Sequence, residues 1–78
     1  MAITFEPTQL DSTLGDSEAV LAMRDGRLFA VLSRLGDIHD ELLGHWYVEA
    51  VFTSDVVGLG AVFPNLDAYE AHVGRQMA

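Results

Sequence analysis

The pair Asp25-Gly26 stands between two apolar runs, residues 19–23 and 28–32. Both central residues of a type I′ turn need positive φ, and Asp and Gly adopt it at least cost. An Asp-Gly pair with apolar runs on both sides is therefore the strongest short-range hairpin signal a chain can carry. A two-residue loop also fixes the register. Met23 then faces Leu28, Leu21 faces Ala30 and Ala19 faces Leu32, so these six apolar side chains form one core face. The opposite face pairs Arg24 with Arg27, Ala22 with Phe29, Val20 with Val31 and Glu18 with Ser33. A sheet with one wet face alternates more cleanly than this, so the second face is expected to be packed or to form an interface. Leu28, Leu32 and Leu35 also fit a helical i, i+4, i+7 stripe. Gly26 would interrupt such a helix, and the Asp-Gly pair has a task only in the hairpin.

The other segments follow from the hairpin. Residues 1–5 suit a short strand, and Pro7 ends it or confines it to a sheet edge. Residues 8–17 read as a loop, with Leu10 and Leu14 able to mark one helical turn. Residues 45–54 form the best period-2 stretch. Trp46, Val48, Ala50 and Phe52 lie on one face, and Tyr47, Glu49, Val51 and Thr53 lie on the other. Residues 56–63 suit a fourth strand weakened by Gly58 and Gly60. Asn65 is a good N-cap, and Asp67 favours the positive end of a helix dipole. Leu66, Tyr69, Val73 and Met77 follow a helical stripe, with Gly74 as the expected stop and Arg75 suited to the negative end. Trp46 and Phe52 are the expected contacts of this helix. The sequence thus predicts one α+β domain over residues 1–78. It is an antiparallel meander of three to four strands packed against a C-terminal helix, in two layers.

Composition bounds the function. The chain has 78 residues, and a domain of that size buries only about 60% of its unfolded surface. It has no cysteine, hence no disulfide and no thiolate metal site. Half of its residues are hydrophobic, which suggests that another chain covers part of the surface. Twelve acids against four bases give a net charge of −8. That charge disfavours direct binding to nucleic acid, and no basic amphipathic face is present for anionic lipid. Nothing at the N-terminus reads as a signal peptide and no apolar run is long enough to span a membrane, so the expected compartment is the cytoplasm.

Several clusters invite a chemical reading. Asp37, His39, Asp40, Glu41 and His45 offer five metal-ligand side chains in nine residues. The zincin pattern needs two His at i and i+4 on one helix face, whereas His39 and His45 would stand about 240° apart. A solvated connection is the favoured reading, with no metal or other cofactor. Gly58-Leu59-Gly60 lacks the third glycine and the βαβ setting of a dinucleotide site. No serine sits in a G-x-S-x-G turn. Glu49 lies mid-strand among apolar residues, where either an ion pair with Arg34 or Arg27 or an exposed position is expected. Trp and Tyr are favoured interface anchors. Trp46 is expected under the helix, and Tyr47 on the second face with Phe29, Val31 and Val51. Those four are the candidate partner-binding patch, with packing under the N-terminal segment as the alternative.

Three strands followed by a helix, with a Phe63-x-x-Leu66-x-x-Tyr69 run where the helix begins, resemble the layout of small DNA-binding domains of the AP2 type. Those domains read DNA with basic strand residues, and this meander sets three Arg against several acids. The resemblance therefore implies architecture and no function. The expected function is that of a non-enzymatic protein-binding or regulatory module that self-associates through its sheet, as a dimer. The alternatives are an acidic inhibitor that mimics nucleic acid, of phage or mobile-element type, and a small metal protein built on residues 37–45.

Overall fold

The computed structural model describes residues 3–11, 18–36, 44–54, 56 and 58–77. Five strands, β1 (Ile3–Gln9), β2 (Glu18–Arg24), β3 (Arg27–Arg34), β4 (Trp46–Val51) and β5 (Val62–Phe63), precede one helix, α1 (Leu66–Met77). The strands form a single antiparallel sheet in sequence order. Meander, C-terminal helix and two layers are as the sequence predicts, with one strand more. β1 runs on through Pro7 to Gln9 and forms one edge of the sheet, where a missing N–H is tolerated. β5 is cut to two residues because Gly58-Leu59-Gly60 turns the chain, with the Ala61 N–H donating to the Gly58 carbonyl at 2.8 Å. Among the described residues no helix is long and apolar enough to cross a membrane. Leu14 and Asp55 lie outside the described residues.

The Asp25-Gly26 turn is present as expected, with φ of 52° and 81° at its two residues. The faces of the hairpin differ from the simple register. Arg24 pairs with Arg27 and Met23 with Leu28, but Ala22 then pairs with Ala30. Phe29 is the extra residue of a β-bulge, and it and Ala30 together oppose Ala22. Beyond the bulge Leu21 faces Val31, Val20 faces Leu32 and Ala19 faces Ser33. The extra residue moves every later pairing by one and so exchanges the faces. Ala30 and Leu32 remain in the core, joined by Val20, Ala22 and Phe29. Ala19, Leu21, Met23 and Leu28 stand on the opposite face.

A second bulge lies between β3 and β4. Val31 pairs with Ala50 and Leu32 with Val48, so Glu49 is extra. It returns Val51 to the core side and puts Ala50 on the other side. Rows of paired residues now cross the sheet. Phe5, Ala22, Ala30 and Val51 form one row on the helix side, and Pro7, Val20, Leu32 and Val48 form the next.

α1 closes this side. Its stripe Leu66, Tyr69 and Val73 faces the sheet, with Tyr69 and Val73 fully buried in one cluster with Val20, Leu32, Val48 and Val56. Each such apolar side chain removed from water contributes about 1.5–3 kcal/mol. Trp46 packs against the cluster as expected. Phe52 does not; it is 63% exposed, beyond the second bulge, and its N–H donates to the Phe29 carbonyl at 2.8 Å. Phe63 takes its place, edge-on to Tyr69 at 5.1 Å.

Asn65 caps the helix, its Oδ1 accepting from the Ala68 N–H at 2.8 Å. Asn65→Ala is expected to cost about 1 kcal/mol, read as a lower midpoint in urea unfolding. Gly74 does not stop the helix, which runs on to Met77. A glycine stop works by adopting positive φ, and Gly74 is not among the positive-φ residues. A methyl group there meets nothing within 4 Å. Gly74→Ala is therefore expected to stabilise the fold by about 0.5–1 kcal/mol, visible as a raised melting temperature.

Candidate docking face

The two bulges decide which side chains the sheet presents on the side away from α1. Three rows cross that face. Near the hairpin turn, Thr4, Met23 and Leu28 are paired across β1 to β3. The middle row is Glu6, Leu21, Val31 and Ala50, with Glu49 beside Ala50 at the bulge. The third is Thr8, Ala19, Ser33, Tyr47 and Val62. Along β2 and β3, exposure on this face rises toward the turn. Ala19 and Ser33 are buried, Leu21 and Val31 are half-buried, and Leu28 is 41% exposed. Leu28 and Val62, at opposite corners, are two of the four large hydrophobic side chains that stand exposed among the described residues.

Charge divides between the faces. Arg24 pairs with Ile3, and its guanidinium lies 5.9 Å from the centroid of the Phe29 ring, on the helix side. Arg27 pairs with Arg24, and Arg34 pairs with Trp46, so both also belong to that side. Arg34 makes an exposed ion pair with Glu18 at 3.1 Å, an arrangement worth little in water. The fourth base, Arg75, is in the last turn of α1. The docking face thus carries two strand carboxylates, Glu6 and Glu49, and no arginine or lysine. Of the two outcomes expected for Glu49, the exposed position is the one found, and Glu49 makes no ion pair with Arg34 or Arg27. It accepts instead from the Ser33 hydroxyl, with Oγ to Oε1 at 3.2 Å, and that buried donor anchors the carboxylate on the face.

The four residues expected to form a partner-binding patch separate. Val31 and Tyr47 stand on the docking face, both half-buried. Phe29 is 3% exposed in the core and Val51 packs against the same cluster, because each lies at or beyond a bulge. Leu21, Met23 and Leu28 occupy the face in their stead. Their apolar character was visible in the chain, but simple alternation assigned them to the core.

Of the five candidate metal ligands, Asp37, His39, Asp40 and Glu41 lie outside the described residues. His45 is half-buried just before β4, where its carbonyl accepts from the Leu35 N–H at 2.8 Å. Among the described residues no three His, Asp or Glu side chains gather into a metal site. The described carboxylates are divided too. Glu6 and Glu49 are on one side of the sheet, Glu18 is on the other, Asp11 follows β1, Asp25 is in the turn, and Asp67 and Glu70 are on the helix.

The helix side holds an aromatic group of Phe5, Phe63, Tyr69 and His72. Tyr69 is fully buried at its centre, and its hydroxyl finds no hydrogen-bond partner among the described residues. Burial raises the Tyr69 pKa above the usual 10.0, since the phenolate would lose its hydration. Comparison with models of protein families, with curated proteins and with solved structures finds no match.

Proposed function

We propose that the protein is a non-enzymatic protein-binding module that works through the face of its sheet opposite α1. The observation that carries this reading is a continuous apolar surface, Leu21, Met23, Leu28 and Val31, on a sheet whose other face is already covered by the chain's own helix. Sheets bury an apolar face against a further layer, and an apolar face left exposed or half-exposed marks an interaction site. Tyr47 and Val62 extend the surface toward β5, with Tyr47 as its aromatic anchor. The absence of cysteine suits a reducing compartment, and we read the module as cytoplasmic.

The test is affinity capture from the native host with the wild-type chain and with the double variant Leu28→Gln/Val31→Thr. These changes replace exposed or half-buried face residues, and thermal melting checks that the fold is kept. The reading predicts a partner whose recovery falls at least about tenfold with the variant, as removal of central apolar contacts does in other interfaces. Equal recovery of every retained protein by both chains would contradict it.

A further inference from the structure

The middle row of the docking face has a chemical order that specifies its occupant. It reads Glu6, Leu21, Val31, then Ala50 with Glu49: a carboxylate at each end and apolar side chains between. Three strand spacings of about 4.8 Å separate β1 from β4, so the two carboxylates stand about 14 Å apart. Both glutamates are exposed, and Glu49 is held in place by the buried Ser33 hydroxyl. No arginine or lysine of the sheet lies on this side, since Arg24, Arg27 and Arg34 all belong to the other.

From this order we infer that the face docks the cationic, apolar side of an amphipathic helix supplied by another protein. The inference rests on the docking face proposed above and names what occupies it. Charge complementarity selects the sign. Two cations flanking an apolar stripe would meet Glu6 and Glu49 while the stripe covers Leu21 and Val31. A second copy of this chain brings the opposite match. It would set two more carboxylates against these two, within a pair of chains that each carry −8. Backbone chemistry selects the helix. The hydrogen-bonding groups of the sheet lie within its plane, so an extended segment on its face would leave its own N–H and C=O groups without partners. A helix satisfies those groups internally. At a rise of about 1.5 Å per residue, cations about nine or ten residues apart span the two glutamates.

The experiment uses the whole chain and a synthetic helix of about 18 residues, roughly 27 Å long, with leucines at helical period flanked by lysines. A second peptide replaces each lysine with glutamine. Binding is measured by fluorescence anisotropy at physiological salt and mapped by methyl chemical shifts. Two double variants separate the face from bulk charge. Glu6→Gln/Glu49→Gln and Asp11→Asn/Glu70→Gln each remove two exposed acids and change the net charge equally, from −8 to −6. The expected result is that the lysine peptide shifts the methyls of Leu21, Met23 and Val31. Its affinity should fall about tenfold or more in the Glu6/Glu49 variant and about twofold or less in the Asp11/Glu70 variant.

Equal losses in the two variants, or equal binding of the glutamine peptide, with the shifts still on the face, would overturn the cationic occupant and leave the docking face standing. Shifts confined to other surfaces would overturn both. Failure of the lysine peptide to bind at all would overturn the cationic helix, and the capture experiment would then judge the face alone. A sedimenting mass of two chains with the face methyls protected would overturn it in favour of a second copy.

Discussion

Phe29→Ala is expected to cost about 3–5 kcal/mol, whereas Leu28→Ala, its neighbour, is expected to cost less than about 1 kcal/mol. The two side chains are adjacent in the sequence and opposite in fate. Phe29 is 3% exposed, packed with Ala22, Ala30 and Tyr69 in one cluster, and has the Arg24 guanidinium over its ring. Leu28 is 41% exposed. An unbulged hairpin predicts the reverse order, with Leu28 in the core and Phe29 outside. A domain of this size has a total stability of about 4–12 kcal/mol, so losing Phe29 removes a large share of it. Urea unfolding of both variants decides the matter. A Leu28 variant less stable than the Phe29 variant would restore the simple register and with it the opposite docking face.

Tyr69→Phe is expected to raise stability, by about 1–3 kcal/mol, because it deletes a buried hydroxyl without a partner among the described residues and keeps the ring. For a domain of this size each kcal/mol moves the melting temperature by about 4–8 °C. The same hydroxyl gives a pH signature. Its folded pKa lies above the unfolded value of 10.0, so in alkali the unfolded chain loses the proton first. Stability from this group is intact below pH 10 and declines as pH rises from there toward the folded pKa, at up to about 1.4 kcal/mol per pH unit. Tyr69→Phe should lose that part of the alkaline slope. A variant less stable than wild type at neutral pH would show that the hydroxyl has a partner after all.

The parts of this fold that were legible in the chain are those with a local cause. Asp25-Gly26 announces its turn through positive φ, Asn65 announces a cap through its side-chain acceptor, and Leu66, Tyr69 and Val73 announce a helix face through their period. The bulges have no such local mark. Neither Phe29 nor Glu49 sits beside a glycine or in a turn, and each extra residue is settled by packing across strands. Phe29 and Ala30 both enter the core beneath the helix, while Glu49 meets Ser33 on the far side. One residue of slip exchanges two faces, so the chain shows that both faces are apolar without showing which one the helix covers. Gly74 misled for a related reason, since a glycine ends a helix only by leaving helical φ.

The candidate site follows the same division. The excess of apolar residues on the second face is visible as soon as the hairpin is paired. Its membership is not, because Val31 and Tyr47 keep their places while Phe29 and Val51 trade theirs for Leu21, Met23 and Leu28. The separation of charge, with three arginines on the helix side and two glutamates on the other, likewise exists only once the bulged register is known.

The account stands most directly on which apolar side chains water can reach. Methyl relaxation by a soluble gadolinium chelate measures this residue by residue. The bulged register predicts strong relaxation at Leu28 and Val62, intermediate relaxation at Leu21 and Val31, and protection of Val20, Leu32, Val48 and Val73. Protection of Leu28 and Leu21 together with exposure of Val20 would mean that the helix covers the other face, and the proposed docking surface would be lost.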